Sequence, residues 1–211
     1  LSWGLFATSH AVHQFHVDCE GRGTWVVPHT GSKYWVVAVP KKESDFASTD
    51  MFGEAFEVDG HNGQQWGLYG FILEPGDMLI MPPCTPHFVL TPSPAICHGG
   101  HFYSYLSLTR TAYSWFHNFI AASTITNTVD HHALEGLISI ATFWHHSIVI
   151  QSETYLENLE KRQEAKCLLG HDLMLHLPNF NLMEDTIQFL TLVNLVRLIP
   201  VLDVRRYREQ S

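Results

Sequence analysis

The chain has 211 residues, 45% of them hydrophobic and 16% charged, with a formal net charge of −9. That much apolar material excludes disorder as the dominant state, and the length fits one domain or one domain with a sizeable appendage. An acidic chain has no general attraction for phosphate backbones, so direct nucleic-acid binding is not expected, whereas a basic peptide or protein partner is compatible with the charge.

Up to Tyr103, short apolar runs are punctuated by Gly and Pro. Residues 25–27 precede Pro28 and Gly31, 34–39 precede Pro40, and 67–73 precede Glu74-Pro75-Gly76-Asp77. Residues 78–81 then precede Pro82-Pro83, and 88–90 precede Pro92. Such β-branched and aromatic runs between turn residues predict strands of an all-β sandwich or barrel. The polar stretch 41–65 reads as an excursion between strands, where a lid can form.

After Tyr103 the pattern turns helical, over 105–122 and 133–150. A third segment, 153–169, places Tyr155, Leu156 and Leu159 on one side. In a last helix Asn181 is the predicted cap, and Met183, Ile187, Leu190, Val193 and Leu195 are the apolar positions. Strands followed by helices without alternation disfavour a parallel α/β sheet. The expected division is 1–103 and 104–211. Two apolar stretches invite a membrane reading, but His145-His146 interrupts 137–150, and Asn194, Arg197 and Pro200 interrupt 187–202. Both fall short of about 18 clean apolar residues, so buried helices are expected.

Cys19, Cys84, Cys97 and Cys167 are scattered with no CxxC pair, which argues against a thiolate zinc site. No Asn-x-Ser/Thr acceptor is present, and Leu1 opens the chain without a basic-then-apolar leader. The expectation is an intracellular protein of which these residues are a piece.

The chemistry lies in His16-Val17-Asp18. On an extended segment, residues two apart share a face, so this imidazole and carboxylate can converge on one ion. A distant His completes the two-histidine, one-carboxylate set of non-haem iron(II) oxygenases, and His87, after the turn at Pro75-Gly76-Asp77 and a Pro-rich loop, is the best candidate. For any one of the 15 histidines a structural role is the plainer reading. The combination with Lys33 in Gly31-Ser32-Lys33-Tyr34-Trp35 shifts the balance, because an oxidase using 2-oxoglutarate needs a cation for the far carboxylate. His131-His132 and His145-His146 are adjacent residues on predicted helices and point apart. Arg205-Arg206-Tyr207-Arg208 reads as a solvated terminus. No hydrolase, P-loop or dinucleotide fingerprint is present.

These motifs, in this order and spacing, resemble the JmjC family of iron(II)/2-oxoglutarate oxygenases: His16-Val17-Asp18, then Gly31 to Trp35, then Glu74-Pro75-Gly76-Asp77 through Pro86-His87. Ala95-Ile96-Cys97-His98-Gly99-Gly100-His101-Phe102-Tyr103 is similar to a divergent branch of that family common in mushroom-forming fungi. The resemblance covers about residues 3–103. It implies a double-stranded β-helix core, the jelly roll also seen in cupins, followed by an α-helical C-terminal region, α+β overall. It implies iron(II) held by His16, Asp18 and His87, with 2-oxoglutarate and O₂ as co-substrates and Lys33 on the far carboxylate. Thr24 would help hold the co-substrate. His13 stands where many members have a Thr or Ser reaching 2-oxoglutarate. His98 and His101 fall on the closing strand, near a position often polar and facing the site. The implied activity is hydroxylation, or demethylation through hydroxylation, of a protein substrate, methyl-lysine included, in the nucleus or cytoplasm. Members carry a substantial stretch before the His-x-Asp segment, and here about fifteen residues precede it. A catalytically inactive jelly-roll binding or scaffold module and a cupin metalloenzyme without 2-oxoglutarate are the alternatives.

Overall fold

β-branched and aromatic residues fit a pleated, half-buried surface, and here they make the sheet. The computed structural model describes residues 2–47, 65–121, 126, 132–164 and 176–201. Among these, one antiparallel sheet of six strands comprises β1 (Ser2–Ala7), β2 (Val12–His16), β3 (Gly23–Pro40), β4 (Trp66–Leu73), β5 (Leu79–Met81) and β6 (His87–Phe102). Strands β3 and β6 lie side by side from Gly23↔Phe102 to Val37↔His87. Each long strand takes two partners in succession along its other edge. β6 pairs with β2 between His87 and Leu90 and with β1 between Ala95 and Gly100. β3 pairs with β5 between Thr24 and Val26 and with β4 between Lys33 and Pro40. Two four-strand ladders, β1-β6-β3-β5 and β2-β6-β3-β4, therefore share the two long strands.

Between the ladders the β3–β6 register slips, at Pro28/Thr30, Thr30/Ser32 and Ser32/Tyr34. Gly31 sits there with φ 70°, and a Cβ on it would stand 2.1 Å from the Pro94 carbonyl oxygen. Only glycine tolerates both the left-handed backbone and that approach. A one-residue slip sends alternate side chains to the other face. Thr24, Val26 and Pro28 are buried before the slip, and Lys33, Trp35 and Val37 after it. On β6 the buried side chains are those of His87, Val89, Thr91, Ala95 and Cys97. The core joins Val26, Trp35, Val37, Leu73, Met81, Val89, Ala95 and Cys97. Each large apolar side chain so buried contributes about 1.5–3 kcal/mol.

Pro28 and Pro92, expected to end strands, lie inside β3 and β6 instead. Proline removes a ladder donor, and it is tolerated where pairing is already irregular. Pro28 adjoins the first slip, and Pro92 has its carbonyl taken by Ser9 Oγ at 2.8 Å.

The described residues also contain four α-helices, so the chain is mixed α+β: α1 (Leu108–Ile120), α2 (Ala133–Trp144), α3 (Ser152–Glu164) and α4 (Met183–Leu198). α2 continues into a π-turn at His145–Ile150. Two compact units result. One contains the strands to Tyr103 together with the helix from Arg110 on, and the other contains Ser104–Thr109 with α2, α3 and α4.

Within the helical unit, Trp144 Nε1 donates to the His176 carbonyl at 2.9 Å and Tyr155 Oη to the Pro178 carbonyl at 2.5 Å. The expected face of α3 is half right, since Tyr155 and Leu159 are buried and Leu156 is exposed. In α4 the buried residues are Asp185, Leu192 and Leu195, whereas Met183, Ile187, Leu190 and Val193 are exposed. Apolar residues surround that helix, so spacing alone did not identify its inner face. Leu182, not Asn181, is its N-cap residue, without a side-chain cap, and Asp185 Oδ2 instead accepts from the Asn179 amide at 2.7 Å. The segment Ala133–Ile150 is, by length and composition, long and apolar enough to cross a membrane. Its buried residues are Ala133, Leu137 and Trp144, so the expectation of a buried helix does not hold there. The excursion at 48–64 and the basic run at 205–208 lie outside the described residues.

Candidate metal centre

β2 ends at His16 and β6 begins at His87, and the antiparallel register makes these two residues cross-strand partners. Their ring centroids are 4.2 Å apart. Asp18 follows two residues later, and one ligand atom from each of His16, Asp18 and His87 lies within 4.8 Å of the others. Among the described residues, this is the group of histidine, cysteine and carboxylate side chains close enough to hold an ion.

The Nδ1 atoms of both rings face backbone carbonyls. His16 Nδ1 lies 2.7 Å from the Gln14 carbonyl, and His87 Nδ1 lies 3.0 Å from the Thr85 carbonyl. A carbonyl only accepts, so each Nδ1 carries its proton and donates it to the residue two positions back. In a neutral ring with Nδ1 protonated, the lone pair lies on Nε2, the tautomer usual for metal-ligating histidines whose Nδ1–H meets a carbonyl. Desolvation, then repulsion from His87, pulls the His16 pKa down to about 4 against the opposing pull of the Gln14 carbonyl and Asp18. His16 is therefore neutral at neutral pH. Burial alone would raise the Asp18 pKa, but His87, the Thr24 hydroxyl, His101 and His16 outweigh it and hold the group below its ordinary value. Two imidazoles and a carboxylate are the donor set that an open-sided iron(II) site takes.

The chain returns from Asp18 to Thr24 through a tight turn, Cys19–Gly21, with Glu20 at φ 52° and Gly21 at φ 62°. Two clamps hold it: Thr111 Oγ1 donates to the Gly21 carbonyl at 2.7 Å, and Tyr103 Oη donates to the Glu20 carbonyl at 2.9 Å. The turn brings Thr24 back onto its neighbour, where the Thr24 hydroxyl donates to Asp18 Oδ2. His101 Nδ1 lies 2.9 Å from the same hydroxyl.

Lys33 is 3% exposed and donates from Nζ to Thr91 Oγ1 at 2.7 Å. Burial lowers its pKa, with Cys97 acting the other way. Desolvation, then the charges of Lys33 and His87, lower the pKa of His13, with Asp18 opposing them. Trp35, on the same face as Lys33, stacks on His87 with centroids 5.2 Å apart and planes at 26°. Its buried Nε1 has no hydrogen-bond partner among the described residues. An ammonium offers three donors, and an indole offers one. A buried cation with no carboxylate beside it among the described residues, next to an unused indole donor, suits an anionic ligand and is costly without one. Further along β3, an apolar cavity of about 250 Å³ is lined by Val37, Phe71, Leu79 and Met81 among others.

The structure thus brings together His16, Asp18 and His87, sets Thr24 and His101 behind Asp18, and keeps His13 within electrostatic reach of Lys33 and His87. It does not bring in His98, which takes the opposite alternation on β6 from Cys97 and His101, stacks on His29 at 4.5 Å and meets Trp25 edge-on at 5.0 Å. His132 pairs with Glu135 at 3.0 Å, and His145 and His146 are exposed. His131 lies outside the described residues. Sequence reasoning did not single out Thr91 or the stack of Trp35 on His87. Alternation from Lys33 gives Trp35, and alternation from His87 gives Thr91, so the signal was present.

Comparison with known proteins finds a partial sequence similarity. Over 100 residues, 46% of this chain, it is 28% identical to the JmjC domain-containing histone demethylation protein 1 of Caenorhabditis elegans. That stretch is 9% of the relative's length. No family model matches the chain. Among solved structures it is similar to a crystal structure of Drosophila melanogaster CENP-C bound to CAL1, with 7% identity and a TM-score of 0.33 over 48% of this chain and 60% of that one. A likeness that loose carries no argument. The sequence similarity is to a JmjC-containing protein, and no finding bears on a fungal branch.

Proposed function

We propose that this chain is the core of a JmjC-type iron(II)- and 2-oxoglutarate-dependent oxygenase. The observation that carries the reading is the convergence of His16, Asp18 and His87, one ligand atom of each within 4.8 Å of the others, with both histidines fixed at Nδ1 by backbone carbonyls. The pairing of the strands supports a double-stranded β-helix, because two four-strand ladders share two long bent strands, as in a jelly roll. Lys33 is the residue for the far carboxylate of 2-oxoglutarate, with Thr91 holding the ammonium in position and Trp35 Nε1 as a further donor.

Iron(II), held by His16, Asp18 and His87, would allow O₂ to act as the oxidant, with 2-oxoglutarate and a C–H bond of the substrate oxidised together, to succinate with CO₂ and to an alcohol. The protein's part is to hold His16, Asp18 and His87 on one side of the ion, to anchor the co-substrate through Lys33, and to keep the interior dry with Trp35, Val37 and Val89. His13, whose pKa burial, Lys33 and His87 lower, offers a neutral imidazole at the co-substrate end in place of the hydroxyl of many family members. The relative's name points to histone demethylation, and a methylated protein substrate met inside the cell, in the nucleus or cytoplasm, belongs to this proposal.

Anaerobic titration with iron(II) and then 2-oxoglutarate tests it. A visible charge-transfer band that needs both, saturating at one equivalent each, is the expected result. Lys33→Ala should keep metal binding and lose the 2-oxoglutarate-dependent band. A metal-bound protein indifferent to 2-oxoglutarate in both forms would instead be a cupin-type site. A protein with no metal binding would be a scaffold.

A further inference from the structure

Resting on that metal-site reading, we infer that Thr24 and His101 form a positioning relay that fixes the Asp18 carboxylate and sets the affinity of the centre. The direction of each hydrogen bond follows from what the groups can do. The Asp18 carboxylate oxygen accepts the bond that it shares with Thr24. Thr24 must therefore give it the hydroxyl's single proton. With that proton committed, the contact of 2.9 Å between Thr24 Oγ1 and His101 Nδ1 is closed only if the imidazole donates. His101 is thus an Nδ1–H tautomer, and the chain runs His101 → Thr24 → Asp18.

The fold builds this relay from paired strands. Thr24 and His101 are direct cross-strand partners of β3 and β6, and Thr24 is 3% exposed. Asp18 is delivered by the clamped turn, not by the sheet, so without the relay nothing described holds Oδ2. Fixing one oxygen turns the other toward the histidines and spares the ion the entropy of ordering a free carboxylate. Groups behind metal ligands typically account for about 10- to 100-fold in affinity.

Cobalt(II), followed by its visible spectrum with the full chain and no co-substrate, reads this without turnover. Thr24→Val keeps the shape and removes the hydroxyl, and it should weaken cobalt binding by about 10- to 100-fold. Thr24→Ser restores the donor and should stay within about threefold of the parent, which a purely packing role would not give. His101→Leu should fall between, and His101→Asn, whose amide can donate from the Nδ1 position, should recover most of the loss. In the metal-free protein, nitrogen NMR of His101 should report the Nδ1–H tautomer. Circular dichroism confirms that each variant folds. Parental cobalt affinity in folded Thr24→Val and His101→Leu, or an Nε2–H tautomer, overturns the relay and leaves the metal centre standing. Absence of cobalt binding by the parent overturns both.

Discussion

The inner face of the sheet and the helical unit treat polarity in opposite ways. Inside the sheet, positions that alternation assigns to the interior carry Thr24, Lys33, His87 and Thr91, all buried. In the helical unit, the exposed positions include Met183, Ile150, Leu156 and Leu190, each more than half exposed. A polar side chain is costly to bury without a partner, so in the sheet each one marks a partner or a ligand. Thr24 has Asp18, Lys33 has Thr91, and His87 has the Thr85 carbonyl. In the helices, exposed apolar residues carry no such information, because apolar atoms make up much of any protein surface. The interior of the sheet is therefore where chemistry can be read.

The hardest break of that contrast is His87→Ala. It removes one donor of three while leaving the opposite ladder intact. The expected loss of metal affinity exceeds the roughly 100-fold ceiling for groups behind the ligands, measured by cobalt titration. A variant that still binds with parental affinity would place the ion elsewhere. Next comes Gly31→Ala, which attacks the register slip itself. A left-handed backbone with a side chain costs about 1–3 kcal/mol, and here the new Cβ also meets the Pro94 carbonyl. Urea unfolding should show at least that loss. Because the slip turns Lys33 inward, the folded remainder should also bind 2-oxoglutarate poorly.

How much of this was legible in the sequence depended on the distance over which each feature is decided. His16-Val17-Asp18 is a local pattern, and two-residue spacing on an extended chain is enough to align it. His87 was legible from the turn and the short strand before it. The continuity of β3 was not. Pro28 and Gly31 look like a strand end, and only the pairing with β6 shows them to be a slip in one strand. The link from Thr24 to Asp18 depends on the turn at Glu20 and Gly21, whose left-handed backbone is fixed by Thr111 and Tyr103 from far along the chain. The inner face of α4 failed for a different reason. A helix apolar on most sides has no stripe to follow, and Asp185, a polar residue, is one of those it buries.

Lys33→Met sharpens the contrast at smaller amplitude. Burial lowers the Lys33 pKa in the folded chain below its value of about 10.4 when unfolded. Between the two values the unfolded chain binds more protons, so this group makes stability rise with pH. Below the folded value the charge is a constant penalty. Methionine removes both the penalty and the slope. Without co-substrate the variant should be more stable at neutral pH by about 1 kcal/mol, the low end for replacing a buried charge because Thr91 loses its donor. That gain should shrink as pH climbs toward 10, in urea titrations at several pH values. A less stable variant at neutral pH would mean that the ammonium is better compensated than its single contact with Thr91 implies.

The smallest effect is expected at Leu190, which belongs to the apolar pattern of α4 and is 53% exposed. If exposure governs, Leu190→Lys changes stability by no more than about 0.5 kcal/mol, as surface substitutions usually do. If the spacing of apolar residues governs, the same change buries a cation and costs several kcal/mol. Thermal or urea unfolding separates these outcomes easily. The test bears on the contrast directly, because Lys33 sits 3% exposed in the sheet and is tolerated there by geometry. A lysine at position 190 has no Thr91 waiting for it, so it is harmless only if water reaches it. A near-zero change would establish that in this chain burial follows alternation in the sheet and does not follow apolar content in the helices.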